Sequence, residues 1–469
     1  MELIIVLTSV LALYLSWNLG ANDVANSMGT SVGSKAVTLK QALVIAGVLE
    51  FTGAVLFGQE VSAKLATGIV NLELFAQVPQ SLLLGMVSVL IATGIWLNLA
   101  TVLGLPVSSS HATVGAIAGF ACIALNLQAV NWSVIGVISI TWIVTPVVSG
   151  AIAACFYGLI KHWILEQPNP IAQLQEWIPW LSVALISIVS VIVLPTLSEP
   201  IRGFLGDRVG LPIPAQDIPL MMGGVGAIWL TWVSWWAIAE QQGESIETLN
   251  QSVADPIFIP SASVAVVEGA LARLQVVSAC FVAFAHGSND VGNAVAPLAA
   301  IVYISQTGTI PLQSFQVPLW ILVLGGVGIV AGLAVWGKKV IATIGEGIIS
   351  LQPSGGFCAE LATATTVLVA SQVGLPVSTS HALVGGVMGV GLVQGLKSIR
   401  LQTVRSIVLT WFVTIPIAAS LSAGIFALLR AWGENFGVTA NMMQLEILYQ
   451  FCGSNALWGT MVDRLIKFS

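Results

Sequence analysis

The sequence predicts an all-α integral membrane protein of roughly 10–12 transmembrane segments. It predicts two repeats, each with a helical hairpin broken at a Gly-x-Pro step. Three observations carry this. Hydrophobic residues make up 57% of the 469 positions and charged residues only 8%, against about 25% charged in a soluble domain. Such a chain cannot cover itself with a water-compatible surface, so lipid must face most of it. Apolar runs of spanning length, near 20 residues, recur along the whole chain, and two ordered motifs occur twice at nearly one offset.

The N-terminus reads Met1-Glu2 followed by an apolar run from Leu3. It lacks the basic n-region and small-residue cleavage site of a signal peptide, so it reads as a retained first membrane helix. Further apolar runs predict helices near 3–20, 39–58, 82–103, 105–126, 133–160, 181–200, 218–239, 270–300, 316–336, 357–373, 375–396 and 405–430. The polar connections near 161–178, 197–217 and 240–262 hold many of the acids, including Glu166, Glu176, Asp207, Asp217, Glu244, Glu247 and Asp255. The segment 433–469 mixes charge with apolar residues and reads as an interfacial or final helix. Basic residues collect in short loops at Lys35/Lys40, Lys338/Lys339 and Lys397/Arg400/Arg405, which the positive-inside tendency makes cytoplasmic.

A net charge of −6 with no basic block gives no electrostatic footprint for nucleic acid. Five scattered cysteines without CxxC or Cys/His spacing point to neither a disulfide framework nor a structural metal.

The duplication organises the chain. GANDVANSMG begins at residue 20 and GSNDVGNAVA at 287, an offset of 267; GLPVSSSHATVGAIAG begins at 104 and GLPVSTSHALVGGVMG at 374, an offset of 270. The second pair matches at 11 of 16 positions. Trp142 with Pro146 and Trp411 with Pro416 form a weaker third pair. The chain therefore divides into a first repeat (1–160), a central insert of about two spans (161–267), and a second repeat (268–432), followed by the C-terminal segment. Transporters of this build place their sites where interrupted helices of the two repeats meet.

In GLPVSSSH, Gly then Pro inside an apolar run stops one helix and starts another, with Pro106 suited to the first helical position. Ser108, Ser109 and Ser110 then sit at an exposed helix start, where free N–H groups, the positive helix end and hydroxyls converge on an anion. Ser378, Thr379 and Ser380 supply the second copy. Neither tract contains Arg, so neutral donors would wrap a tetrahedral oxyanion and still release it. A single such tract reads more simply as capping or back-bonding serines; duplication after a Gly-x-Pro break favours the site.

Asp23 and Asp290 lie in or beside long apolar runs, where an acid is a functional candidate. Asn22, Asn26, Asn289 and Asn293 add amide oxygens. Together with unwound backbone carbonyls these suit a hard cation such as Na⁺, and a carboxylate equally suits a proton. Helix capping is the plainer alternative. Glu50 and Glu360 also sit in apolar surroundings without an acid at the matching position of the other repeat. They read equally as cation or proton handlers and as structural hydrogen-bond groups. His111 and His381 read as packing residues of the re-entrant turns, and the 16 Trp as interface anchors and packing groups.

These paired motifs, together with FCAELATATTVLVASQVGLPVSTSHALVG, resemble the inorganic phosphate transporter family across both halves. The resemblance implies a non-enzymatic secondary transporter, a symporter moving inorganic phosphate with Na⁺ or H⁺. A sulfate permease is the alternative, since some relatives carry sulfate. It implies phosphate binding by Ser108, Ser109, Ser110, Ser378, Thr379 and Ser380 with Asn22 and Asn289. It implies cation or proton coupling by Asp23, Asp290, Asn26, Asn293, Glu50 and Glu360, with transported Na⁺ at Asp23/Asp290. The expected setting is the plasma or inner membrane. The expected partners are phosphate and lipid, with a homodimer left open and no cofactor beyond the coupling ion. Ser27 stands where the family more often has Ala.

Two other classes were weighed. A membrane-embedded Ser/His hydrolase is disfavoured because Ser110-His111 and Ser380-His381 are chain neighbours about 100° apart on a helix, and because one active site would not be mirrored. A passive anion channel has no use for mirrored acids. Between the oxyanions, protonated phosphate can be selected by an acceptor carboxylate that repels sulfate.

Overall fold

The computed structural model describes residues 2–105, 107–209, 214–251, 259–311, 315–344, 349 and 351–435. Beyond 435, the expected C-terminal helix lies outside the described residues, as does Pro106. The described chain is helical, with no β-strand beyond an isolated bridge between Val70 and Val130. In chain order the helices are α1 (Glu2–Gly33), α2 (Leu39–Phe57), α3 (Gln59–Thr67), α4 (Leu72–Phe75), α5 (Pro79–Val102), α6 (Ser109–Ala124), α7 (Trp132–Ile160) and α8 (Pro170–Ile192). There follow α9 (Leu194–Val209), α10 (Asp217–Gln251), α11 (Ile259–Asp290), α12 (Gly292–Thr307), α13 (Leu319–Ile344), α14 (Pro353–Gln372), α15 (Thr379–Gln394) and α16 (Leu401–Asn435). Nine stretches among the described residues are long and apolar enough to cross a membrane. The central segment supplies two of these, within α8 and α10.

The Gly-x-Pro breaks form as expected. Gly104 and Gly374 adopt φ of 66° and 67°, a left-handed turn that glycine enters without steric cost. α5 and α14 end there, and α6 and α15 return as 16-residue helices. At 1.5 Å per residue each return helix rises about 24 Å, short of a hydrocarbon core about 30 Å thick. Neither crosses alone, which makes each hairpin re-entrant. One detail departs from expectation. Pro376 is not the first helical residue: α15 starts at Thr379, because Ser378 caps it by accepting from the His381 N–H, 3.3 Å away. Ser108 caps α6 through the His111 N–H in the same way.

The halves interlock rather than packing side by side. α1 lies along α13 while α11 lies along α2; α6 lies on α16 while α15 lies on α7. These four crossings fall into two matching pairs. Backbone approach at glycine makes these crossings close, as small-residue interfaces do in membranes. The buried core therefore forms between the halves, and it carries the polar side chains described next.

A second departure concerns the GAND segment. α1 runs unbroken through Gly20–Asp23, so no unwound carbonyls are available there. In the second copy the chain breaks briefly at Val291, between α11 and α12. The first copy stays helical because nothing from Ala21 to Gly33 forbids it: no proline interrupts the run.

Candidate functional site

The two hairpin tips meet each other and the middle of α1 and α11. The Ser110 hydroxyl donates to the Val377 carbonyl, 2.9 Å away, tying one tip to the loop before the other. At the start of each return helix the third N–H is capped, leaving the N–H groups of Ser109 and Ser110, and of Thr379 and Ser380, without intrahelical acceptors. The Thr379 hydroxyl donates to Asp290 Oδ2 at 2.9 Å. Ser378 and Ser380 share a hydrogen bond at 2.9 Å. All six tract residues are buried.

Asp23 and Asp290 stand close together: their carboxylate oxygens and a ring nitrogen of His286 lie within 4.8 Å of one another. His286 sits between acids, Nδ1 3.2 Å from Glu50 Oε2 and Nε2 3.0 Å from Asp290 Oδ2. Both nitrogens are off the hydrogen-bonding line, so the contacts are those of charge proximity. The Asn26 amide donates to Asp23 Oδ1 at 3.2 Å, and the Ser27 hydroxyl to Glu50 Oε1 at 2.9 Å. Asp23 Oδ2, Asp290 Oδ1, Asn289 Oδ1 and Asn293 Oδ1 are buried and accept no hydrogen bond from the described residues. Buried carboxylate and amide oxygens in that condition could ligate a hard cation.

The amide of Asn289 donates both hydrogens, to Ser371 Oγ at 2.9 Å and to the Leu375 carbonyl at 3.2 Å. A carbonyl can only accept, which fixes the amide's orientation. Asn289 thus has only an acceptor left and suits a cation better than the phosphate role expected of it. Asn22 keeps a buried, unpartnered Nδ2, a donor free for an anion. Asn293 links the halves, its amide 3.5 Å from Ser109 Oγ.

Glu360 stands apart from this cluster. Thr30, Ser31 and Gln275 donate to its Oε1 at 2.5, 2.7 and 3.2 Å, and Ser278 to its Oε2 at 2.8 Å. α1 of the first half supplies two donors and α11 of the second supplies two. Four donors on a fully buried carboxylate make a clamp between the halves. Glu360→Gln would aim amide hydrogens at donors, and leaving buried donors unpaired costs about 1–3 kcal/mol each. The variant is expected to melt at lower temperature in detergent; an unchanged midpoint would remove the clamp.

Several of these residues escaped the sequence reading: His286, Ser27 as a partner of Glu50, and Thr30, Ser31, Gln275, Ser278 and Ser371. His286 had a legible signal, an ionisable group inside an apolar run one helical turn before Asp290. The hydroxyl residues had none, because their partners are over 80 positions away in sequence, apart from Ser27 and Glu50.

A many-spanning helical protein with paired hairpins closing on buried acids and helix starts has the architecture of a membrane transporter. Comparison with known proteins gives the family. The model of the phosphate transporter family matches residues 19–422, and the chain belongs to that family. A Haemophilus influenzae protein named as a phosphate permease is 37% identical over 424 residues, covering 90% of this chain and 96% of that protein. The Arabidopsis thaliana chloroplastic inorganic phosphate transporter 2-1 is 38% identical, covering 88% and 70%. The solved structure of a sodium-dependent phosphate transporter superposes with a TM-score of 0.79 at 34% identity, covering 92% of this chain and all of that one.

Proposed function

We propose that this protein is a symporter that carries inorganic phosphate with Na⁺ across the plasma or inner membrane. Its two halves, 1–160 and 268–432, act as inverted-topology repeats flanking the insert 161–267. The carrying observation is the Thr379 hydroxyl donating to Asp290 beside unpartnered carboxylate and amide oxygens. Without a cation, the hydroxyl hydrogen of Thr379 is spent on a carboxylate. A cation held by Asp23, Asp290, Asn289 and Asn293 competes for that carboxylate and frees the hydroxyl to turn toward phosphate. The N–H groups of both helix starts then complete an anion site of neutral donors. Cation and phosphate thus favour each other's binding, as coupling requires.

Na⁺ is favoured over H⁺ because a proton needs one carboxylate oxygen, whereas two unpartnered amide oxygens beside two carboxylates suit a cation with several oxygen ligands. Phosphate is favoured over sulfate by the family and by a protonated phosphate oxygen that can donate to a carboxylate. The test is uptake of labelled phosphate into proteoliposomes under an imposed Na⁺ gradient and, separately, a proton gradient, with sulfate in competition. Uptake that follows only the proton gradient would assign H⁺; uptake blocked by equimolar sulfate would undo the selectivity.

The tracts make a further prediction. Ser109→Ala and Thr379→Ala each remove one donor to phosphate, so the half-saturating phosphate concentration should rise about tenfold. Thr379→Ser should restore it. Equal half-saturation in wild type and both alanine variants would remove the tracts from the phosphate site.

A further inference from the structure

Four aromatic rings lie buried where the hairpin tips meet: His111 and His381 of the return helices, Trp142 of α7 and Trp411 of α16, none more than 9% exposed. His111 lies on Trp142 with ring centroids 3.8 Å apart, His381 stacks on Trp411 at 3.5 Å, and the two imidazoles meet edge to face at 4.6 Å. Each histidine also donates from Nδ1 to a tryptophan carbonyl of the other half: His381 to Trp142 at 3.0 Å, His111 to Trp411 at 3.2 Å. Each therefore packs against the tryptophan of its own half and bonds to that of the opposite half.

The sequence explains one of these bonds. Pro146 stands four residues after Trp142 and has no N–H, so the Trp142 carbonyl lacks its helical donor. His381 supplies the missing hydrogen. α15 can come near enough because Gly385, one turn further on, lies against the Pro146 carbonyl: a Cβ there would fall 2.2 Å from that oxygen.

We propose that His111, His381, Trp142 and Trp411 are positioning residues for phosphate. Their interlocked column sets the register of the hairpin tips so that both helix starts close on one anion. His111 and His381 are the third residues of their helices, directly after the tract residues, so a shift of either ring moves the N–H groups and hydroxyls that precede it. The proposal rests on the assignment of the serine tracts to phosphate.

The test measures half-saturating phosphate and half-saturating Na⁺ separately in proteoliposome uptake. His381→Phe keeps a ring and loses the donor. His381→Asn loses the ring and keeps an N–H that can reach the carbonyl. Pro146→Ala leaves all four rings in place and gives the Trp142 carbonyl a backbone donor of its own, which competes with His381. His381→Phe and Pro146→Ala should each raise half-saturating phosphate about tenfold, with half-saturating Na⁺ within about twofold, and His381→Asn should recover most of the loss. The double variant should be no worse than the poorer single one, because both break one bond. A parallel rise in phosphate and Na⁺ constants, or no rise in phosphate, overturns the proposal. If His381→Phe fails to reach the membrane, Pro146→Ala decides alone. Ser109→Ala separates the two assignments: weakened phosphate there with none in Pro146→Ala defeats the column only, and no weakening in Ser109→Ala defeats the tract assignment beneath it.

Discussion

Asp290→Asn is expected to abolish cation-driven phosphate uptake while the protein still reaches the membrane. Asparagine has the same shape, so packing around α11 is kept. It lacks the charge and replaces one acceptor oxygen with a donor. Asp290 is fully buried, accepts from Thr379 and faces His286. Removing one partner of a buried charged group costs about 3–5 kcal/mol, which is more than about a hundredfold in any equilibrium it controls. Asp23→Asn removes the matching carboxylate and should have the same result. The measurement is labelled phosphate uptake under a Na⁺ gradient, with surface amount checked by blotting. Normal gradient-driven uptake in both variants would end the assignment of these acids to the cation. The pairing of Thr379 with Asp290 adds a finer expectation: the loss should appear first as a higher Na⁺ requirement for phosphate binding, because cation and hydroxyl compete for the same carboxylate.

What the sequence made legible follows from how each feature is encoded. The re-entrant hairpins were readable because Gly104 and Gly374 with their following prolines are local backbone signals, and local signals survive without tertiary information. Asp23 and Asp290 were readable because an acid in an apolar run is costly wherever the run packs. Pairing across the halves was not readable. Glu360 looks like a lone acid in sequence, and only the fold brings Thr30, Ser31, Gln275 and Ser278 to it. His286 stands one turn from Asp290 but has Leu19 at the matching place in the first copy, so the duplication that marks the other site residues does not mark it. Asn289, expected at phosphate, is proposed as a cation ligand for a related reason: a sequence cannot say that both amide hydrogens are already bonded.

Gly287→Val is expected to prevent assembly of the two halves, and Gly287→Ala to destabilise it by about 1–3 kcal/mol, the range for overpacking a tight core. The first glycine of GAND and of GSND, Gly20 and Gly287, is the point where a helix of one half meets backbone of the other. A Cβ at Gly287 would fall 2.0 Å from the Glu50 carbonyl oxygen, and one at Gly20 would fall 1.9 Å from that of Ile329. No side chain can yield there, since the obstacle is backbone, so α11 must move away from α2. The same shift pulls Glu50 from His286, one residue before the glycine, and Asp290 lies three residues after it. Stability and transport should therefore fall together, with the amount of monodisperse protein in detergent and its melting temperature both reduced. Gly136 provides the contrast. It lies in α7 with nothing within 4 Å of an added Cβ, and Gly136→Ala should hold or raise the melting temperature through better helix propensity. If Gly287→Ala behaved like Gly136→Ala, the motif glycine would have to be explained by something other than close packing, and the interlocking of α11 with α2 would lose its main physical support.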